Sequence, residues 1–384
     1  MPTGAIERSL WIHRLKAAWA QKPIVWLAGV RRVGKTHLSR SIDAKYFNCD
    51  LPSTQKAIAE PEVFLRQYRG KTLVLDEIHQ IDRPELILKI AADEFPGTRI
   101  LATGSSTLSA GKKFRDTLTD RKRTIHLVPL LPEECHAFGS SDLRHRLLRG
   151  GLPPAFLSAK HDAEFYAEWL DSFFARDIQE LFSVEKRTPF LKVLELALAG
   201  NGTPLDPTRV GQAAGVSRPT ATRYLDILEA TKAITPVRPF AKNATSEIIS
   251  QPRIYGFDTG FCAYVQGWDS LHTSECGALL ENLTLETLQS LPGQVDIRYW
   301  RTKQGREIDF VLPATRDRTH TIECKWSHAA FSPDHVLAFR KDYPGGKNWV
   351  VCSDVAKSYD RAIKGTAFRF VSIWEFRQEL ISNL

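Results

Sequence analysis

Short apolar runs alternate with stretches of helical periodicity along the first third of the chain. The runs are bounded by polar residues or glycine, as expected for buried strands, whereas the stretches between them repeat apolar residues three or four positions apart. The runs predict strands at residues 24–28, 45–49, 72–75, 99–102 and 124–128. The stretches predict helices at residues 6–20, 37–43, 61–68 and 84–95. This alternation predicts an α/β fold with a doubly wound sheet, in which a ligand binds at the carboxyl ends of the strands.

The turn after the first predicted strand carries the sequence G-V-R-R-V-G-K-T, from Gly29 to Thr36. It matches the pattern G-x-x-x-x-G-K-[ST], in which glycines let the backbone approach a phosphate. A helix that starts at the end of this loop points its N–H groups and its dipole at the anion. The lysine reaches the outer phosphates and the threonine hydroxyl binds Mg²⁺. The sequence therefore predicts ATP and Mg²⁺ as cofactors, bound by Gly29, Arg32, Val33, Gly34, Lys35, Thr36 and His37.

The third predicted strand, T-L-V-L, ends in Asp76 and Glu77. An acidic pair at a strand end is common by itself, but here it follows the glycine-rich loop after one intervening strand. Asp76 is then expected to bind Mg²⁺, directly or through water, and Glu77 to orient or deprotonate the attacking water.

The fourth predicted strand ends in T-G-S-S, residues 103–106. A polar side chain at this strand end can contact the γ-phosphate or the attacking water, and Thr103 or Ser105 is the candidate. The two serines have an equally good alternative role as N-caps of a following helix.

Composition and charge narrow the class of protein. The chain has 384 residues, enough for two or three domains, and 43% are hydrophobic. It contains no apolar run of about 18 residues and no signal-peptide pattern at its start, so we expect no membrane span. Its 6 cysteines are scattered without a C-x-x-C pair, which favours a reducing cytoplasm. The net charge of +8 is compatible with a polyanionic partner without requiring one.

Residues 131–189 read as a mainly helical lid, and residues 190–249 have the rhythm of a helix-turn-helix. A turn at Gly215 and a helix that starts near Ser217 fit that motif, with the start of a wing at residues 234–240. The residues predicted to face DNA are Arg218, Thr220, Thr222 and Arg223. The alternative is a winged helix that only packs against the rest of the protein.

The last segment, residues 250–384, places Asp309 on one predicted strand and Glu323 and Lys325 on the next. Glu323 and Lys325 are two residues apart and therefore share one face of their strand. With Glu281 on the preceding helix, the set matches the layout of PD-(D/E)XK nucleases. There carboxylates, here Glu281, Asp309 and Glu323, hold Mg²⁺, and the lysine stabilises the attacking hydroxide. The alternative is a fold of this kind that binds DNA or protein without cutting.

The glycine-rich loop, L-V-L-D-E, A-T-G-S-S and the later R-G-G-L-P-P resemble a widespread prokaryotic family of AAA+-type ATPases. The resemblance covers nearly the whole chain and implies a P-loop AAA+-type core at residues 1–130, a helical lid, a winged helix and a restriction-endonuclease-like α/β domain. It also implies a homo-oligomer, perhaps a hexamer. The family tends to carry Gly-Arg after the sensor, where this chain has Asp120-Arg121, so Arg121 is the candidate arginine acting across a subunit boundary. Its alternative is a basic surface residue.

Three hypotheses of function follow. The first is an ATPase that couples its nucleotide state to the binding or processing of DNA. The second is a slow, nucleotide-gated signalling switch whose C-terminal domain binds a protein partner. The third, by analogy of domain order with branch-migration motors, is a motor on branched DNA. Glu77 favours turnover over a slow switch.

Overall fold

We analysed a computed structural model of the full chain. The structure describes residues 6–104, 116–179, 182–240, 251–315 and 318–383. These residues form two compact units. The first comprises the described residues of 1–128, 169–185 and 230–232, and the second comprises those of 129–168, 186–229 and 233–384.

The first unit contains a 5-stranded sheet in the order β2-β3-β4-β1-β5, in which all neighbouring strands are parallel. Its strands are β1 (Ile24–Ala28), β2 (Lys45–Asn48), β3 (Thr72–Asp76), β4 (Arg99–Thr103) and β5 (Lys122–His126). Its described helices are α1 (Ser9–Trp19), α2 (Lys35–Arg40), α3 (Pro52–Ile58), α4 (Pro61–Gln67), α5 (Pro84–Glu94) and a 3₁₀ turn at Ile78–Gln80. The parallel α/β sheet predicted from the sequence is confirmed.

The apolar runs form strands because both faces of this sheet are covered. All five residues of β1 are buried, and β3 and β4 are buried except at their first residue. Parallel strands of this type show continuous apolar runs without alternation. Trp11, Leu15 and Trp19 are buried along α1, as their common stripe predicts.

The second unit contains helices and a 9-stranded sheet in the order β13-β14-β12-β11-β10-β9-β7-β8-β6. Its strands are β6 (Thr203–Pro204), β7 (Ile234–Pro239), β8 (Arg253–Gly256), β9 (Arg298–Arg301), β10 (Glu307–Thr315), β11 (Arg318–Lys325), β12 (Asn348–Cys352), β13 (Tyr359–Ile363) and β14 (Thr366–Ser372). The remaining described helices are α6 (Pro132–Cys135), α7 (Leu143–Arg149), α8 (Pro153–Phe156), α9 (Ala163–Phe173), a π-helix (Phe174–Gln179), α10 (Arg187–Ala199), α11 (Pro207–Ala214), α12 (Arg218–Ala230), α13 (Thr259–Val265), α14 (Thr273–Gln289), a 3₁₀ turn (His328–Ala330), α15 (Asp334–Asp342) and α16 (Ile373–Ile381).

The segment predicted as one helical lid, residues 131–189, is divided between the two units. Residues 129–168 pack within the second unit and residues 169–185 within the first, so the division falls inside α9. A buried ion pair fastens the earlier part to the second unit: Arg146 lies on α7 and contacts Glu286 on α14. Sequence periodicity could not reveal this, because the partners are 140 residues apart.

Candidate nucleotide-binding and carboxylate sites

The glycine-rich loop connects β1 to α2. A Cβ atom on Gly29 would lie 2.7 Å from the carbonyl oxygen of Leu127, so the close passage of the two backbones requires glycine there. Gly34 caps α2 with φ of 102°, a conformation that favours glycine. Thr36 and His37 follow in the first turn of that helix. The backbone N–H groups of this turn are available to an anion, as at other helix starts.

Lys35 folds back over its own loop. Its Nζ atom donates hydrogen bonds to the carbonyl oxygens of Gly29 at 2.8 Å and Val30 at 3.2 Å. Burial lowers the pKa of Lys35, with nearby Glu77 acting in the opposite direction. Among the described residues no carboxylate forms an ion pair with this ammonium group. The loop therefore offers an ammonium group that is not held in an ion pair within the described residues, which suits it to hold the phosphates of a nucleotide.

Contacts with residues distant in the chain hold the glycine-rich loop in place. Arg31 forms an ion pair with Asp177 at 3.3 Å, and its carbonyl oxygen accepts a hydrogen bond from Trp169 Nε1 at 3.0 Å. Arg8 donates to the carbonyl oxygen of Val33 at 3.1 Å. Arg32 adopts a φ of 60°, which is uncommon outside glycine. These contacts carry no local sequence signal, because they join residues that are distant in the chain.

Asp76 lies at the carboxyl end of β3 with 2% of its surface exposed. The Thr103 hydroxyl donates to its Oδ1 atom, and the Tyr46 hydroxyl donates to its Oδ2 atom at 2.5 Å. The strand order explains both bonds, since β3 lies between β2 and β4. Neutral donors thus hold the carboxylate and leave its negative charge for a cation.

Glu77 follows with φ of 55°, in the left-handed region. Such a conformation costs on the order of 1 kcal/mol or more for a non-glycine residue and is frequent at functional sites. Its backbone N–H donates to Thr103 Oγ1 at 3.1 Å, and its side chain contacts His79 Nδ1 at 3.3 Å. Thr103, one of the two predicted sensors, thus binds both acidic residues. The other, Ser105, lies outside the described residues.

Arg121, the candidate arginine for a neighbouring subunit, is held within its own chain. Its Nε and one terminal nitrogen contact the two carboxylate oxygens of Asp93 at 2.7 and 3.1 Å. About a third of each side chain is exposed, 34% for Arg121 and 35% for Asp93. To act across a boundary between subunits, the guanidinium group has to leave this bidentate pair.

The predicted helix-turn-helix residues lie on α11, α12 and the turn between them. Gly215 ends α11 with φ of 71°, and Ser217 Oγ contacts Thr220 Oγ1 at 2.9 Å ahead of the first turn of α12. Arg218, Thr222 and Arg223 are exposed, whereas Thr220 is half-buried. Strands β7 and β8 follow as an antiparallel pair, and β6 joins the other edge of β8. One face of α12 is therefore accessible to a partner.

The structure brings Asp309, Glu323 and Lys325 together on β10 and β11. Lys325 Nζ contacts Glu323 Oε2 at 2.7 Å and Asp309 Oδ2 at 3.5 Å. Asp309 Oδ2 also accepts a hydrogen bond from the backbone N–H of Cys324 at 2.8 Å. Both carboxylates are buried, with 7% of Asp309 and 3% of Glu323 exposed. Lys325 thus neutralises the charge that a metal ion would otherwise meet.

Glu281 belongs to the same polar cluster but has other partners. It accepts a hydrogen bond from the Tyr255 hydroxyl and lies 3.4 Å from Arg253, whose other terminal nitrogen contacts Glu307 at 2.7 Å. Arg253 and Tyr255 lie on β8, so the first strand of residues 250–384 contributes to this acidic cluster. Neither Arg253 nor Tyr255 belongs to a motif that the sequence reveals.

The electrostatic environment of this cluster favours the protonated forms of Glu281 and Glu323. Burial, and secondarily the charge of Asp309, raises the pKa of Glu281 to about 8 and that of Glu323 to about 8. Burial alone lowers the pKa of Lys325, but Asp309 and Glu323 outweigh it and raise that pKa. Glu323 Oε1 is buried and has no hydrogen-bond partner in the described structure. Across the part of the chain that is described, no three His, Cys, Asp or Glu side chains are grouped so that they could hold a metal ion. The magnesium site at Glu281, Asp309 and Glu323 stays a prediction.

Comparison with family models divides the chain into three segments. Residues 21–136 match the model of an AAA domain. Residues 140–272 and 276–373 match two models that are each described as a domain of unknown function, DUF8612 and DUF4143. The glycine-rich loop and strands β1 to β5 described above lie within the first of these matches.

Two relatives are uncharacterized proteins of Mycobacterium bovis and Mycobacterium tuberculosis. Each is 28% identical over 320 residues, which is 80% of this chain and 71% of the relative. Among solved structures, a Walker-type ATPase of Pyrococcus abyssi is similar, with 14% identity, a TM-score of 0.45, and coverage of 68% of this chain and 96% of that one. The Aeropyrum pernix Orc1 protein in complex with DNA has 13% identity, a TM-score of 0.29, and coverage of 73% and 94%. Nothing about function follows from TM-scores this low.

Within the described ranges, no helix is both long and apolar enough to cross a membrane.

Proposed function

We propose that this protein binds and hydrolyses ATP with Mg²⁺ at the loop between β1 and α2. One observation carries the proposal: Asp76, Glu77 and Thr103 meet at the carboxyl ends of β3 and β4, and β4 lies directly beside β1, which delivers the loop. Bound Mg²⁺ neutralises phosphate charge in reactions of this class. Lys35 binds phosphate, Thr36 and Asp76 hold the metal ion, and Glu77 orients the attacking water.

The test is nucleotide binding and phosphate release by the purified protein and by the variant Lys35→Ala. We expect Lys35→Ala to lose both nucleotide binding and phosphate release, because it removes the ammonium group that the loop offers to the phosphates. Lys45→Ala is the matched control, since Lys45 is an exposed lysine at the start of β2. Hydrolysis by Lys35→Ala at the rate of the unchanged protein contradicts the assignment.

We further propose that nucleotide state is coupled to DNA through α12. Its exposed Arg218, Thr222 and Arg223, with the half-buried Thr220, support this proposal. The order of the elements α10, β6, α11, α12, β7 and β8 is the order expected for a winged helix. Fluorescence anisotropy with single-stranded, duplex and four-way-junction DNA tests it, with and without nucleotide. The double variant R218A/R223A should weaken binding, whereas Lys192→Ala on the exposed side of α10 should not. Equal binding by both variants contradicts a role of α12.

A second candidate function, the nucleotide-gated switch, is favoured by two ion pairs. Arg121 is paired with Asp93, and Lys325 contacts both Asp309 and Glu323, which supports a function in which neither the arginine nor the acidic cluster takes part in catalysis. In this function the last domain, although nuclease-like in its acid–lysine layout, binds a protein partner. Magnesium-dependent DNA cleavage that Asp309→Ala abolishes contradicts the switch and supports a nuclease.

Oligomerisation and location complete the proposal. We infer that the protein works as a homo-oligomer, perhaps a hexamer, in which Arg121 acts across the boundary between subunits. Loss of hydrolysis on dilution supports this inference, and hydrolysis by a monomer contradicts it. The cytoplasm is the proposed location, since the six cysteines are all free and buried.

A further inference from the structure

Tyr46 belongs to neither the glycine-rich loop nor the acidic strand end, yet it reaches the metal-binding carboxylate. In the parallel pair of β2 and β3, Tyr46 lies opposite Val74, and Asn48 lies opposite Asp76. Side chains two residues apart on a strand share one face. An aromatic side chain can span the diagonal to a residue two positions further along the neighbouring strand. The phenol of Tyr46 thereby reaches Asp76 Oδ2 at 2.5 Å.

The Tyr46 ring is itself fixed by the helix that leaves the loop. The guanidinium carbon of Arg40, on α2, lies 5.0 Å from the ring centroid. Helix α2 begins with Lys35 and Thr36, the two residues proposed to hold phosphate and Mg²⁺.

Both carboxylate oxygens of Asp76 thus accept a hydrogen bond from a neighbouring strand. Thr103 holds Oδ1 from β4 and Tyr46 holds Oδ2 from β2. Each carboxylate oxygen can accept more than one bond, so the hydroxyls orient the group and leave room for a cation. Partners that orient a metal ligand typically contribute about 10- to 100-fold to metal affinity.

We propose that Tyr46 is a positioning residue for Mg²⁺-dependent nucleotide binding, acting through Asp76. The proposal rests on the proposed ATP site and adds to it a residue that lies outside both sequence motifs. Without the phenol hydroxyl, the Asp76 carboxylate is fastened only at Oδ1 and can rotate away from the loop.

The test is the variant Tyr46→Phe, which keeps the ring beside Arg40 but removes the hydroxyl and with it the hydrogen bonds to Asp76 and to Arg40. Binding of a fluorescent ATP analogue is measured during a titration with MgCl₂, and again in EDTA. We expect the Mg²⁺ concentration for half-maximal binding to rise about tenfold or more. Affinity in EDTA should be unchanged, because Lys35 and the loop remain intact.

Tyr68→Phe is the matched control. Tyr68 is another half-buried tyrosine of the same unit, with its ring centroid 5.2 Å from that of Phe47, and it does not contact Asp76. It should leave the Mg²⁺ requirement unchanged. Thermal unfolding without nucleotide checks that both variants fold. Arg40→Gln, which removes the cation over the ring, should raise the Mg²⁺ requirement less and supplies a second test if Tyr46→Phe is unstable.

The outcomes separate this inference from the proposed function. If the unchanged protein needs Mg²⁺ for tight binding and Tyr46→Phe has the same requirement, only the role of Tyr46 is wrong. A lower requirement in Tyr46→Phe also overturns it and shows that the hydroxyl obstructs the metal ion. If the unchanged protein shows no Mg²⁺-dependent binding at all, the proposed function fails and this inference fails with it.

Discussion

Two buried carboxylates in this protein, Asp76 and Asp309, meet very different partners. Asp76 accepts bonds from the neutral hydroxyls of Tyr46 and Thr103. Asp309 accepts a backbone hydrogen bond and shares the ammonium group of Lys325 with Glu323. In both places the acid lies on a strand whose neighbours supply its partners.

The comparison shows that position on a strand does not decide what an acidic residue can do. Hydroxyl donors orient a carboxylate without cancelling its charge, so Asp76 can still attract Mg²⁺. An ammonium group at ion-pair distance cancels most of that attraction, so a cation at Asp309 must first displace Lys325. The two lysines also differ: Lys35 donates to two carbonyl oxygens of its own loop, whereas Lys325 bridges two acids.

The largest effect expected is on hydrolysis. Glu77→Gln should lower the rate of ATP hydrolysis by about 10² to 10⁴ while nucleotide binding persists, because only proton acceptance and water orientation are lost. Asp309→Asn should leave the rate unchanged, which sharpens the contrast between the two sites. Steady-state phosphate release measures both, with Glu94→Gln, at an exposed position of α5, as the control. A Glu77→Gln protein of full activity removes Glu77 from the mechanism.

The next effect is on stability. Lys325→Met should lower the free energy of unfolding by about 3 kcal/mol at pH 7, because it leaves the Asp309 carboxylate buried without a compensating charge. Lys35→Met should cost less, because Lys35 forms no ion pair within the described residues and burial already opposes its charge. Urea unfolding without nucleotide measures both. An equal loss of unfolding free energy in both variants would mean that Lys35 and Lys325 have similar electrostatic environments.

A smaller effect concerns pH. The pKa of Glu281 rises from an ordinary value of 4.5 to about 8, so between these values the folded protein binds a proton that the unfolded chain releases. Its contribution to stability is therefore favourable at low pH and declines as the pH rises towards 8. Glu281→Gln should make the decline in unfolding free energy between about pH 5 and pH 8 shallower. Urea unfolding across this range measures it, and an unchanged slope contradicts the raised pKa of Glu281.

The smallest effect concerns Arg121 and Asp93. Because both side chains are about one-third exposed and water screens their charges, Asp93→Ala should leave the unfolding free energy nearly unchanged. If Arg121 acts on a neighbouring subunit, Arg121→Ala should lower hydrolysis, whereas Asp93→Ala should not. Equal hydrolysis by both variants would reduce Arg121 to a surface residue.

Much of the P-loop unit could be predicted from sequence. The strands at residues 24–28 and 72–75 and the acidic pair at 76–77 lie where the apolar pattern places them, and β3 extends one residue further, to Asp76. The sequence predicts a doubly wound sheet but not its strand order. That order places β4 beside β3, so that Thr103 can donate a hydrogen bond to Asp76. Tyr46 carried no motif, and its role depends on the register of β2 against β3.

The second unit was harder to predict. The pairing of Asp309 with Glu323 and Lys325 follows from a hairpin of neighbouring strands and was found in advance. The contribution of Arg253 and Tyr255 was not, because β8 joins this sheet only through β7 and β9. The division of residues 131–189 between two units also escaped the sequence pattern.

The sequence by itself determined the local elements: buried strands from apolar runs, a phosphate-binding turn from glycines, and carboxylates at strand ends. These depend on backbone conformation and on neighbours a few residues away. Only the tertiary structure decided which buried charges are free and which are neutralised. Tyr46 reaches Asp76 across 30 residues, and Arg253 reaches Glu307 across 54. Such partners are chosen by strand order and register, and the energetic state of a buried carboxylate depends on those partners rather than on its own position in the chain.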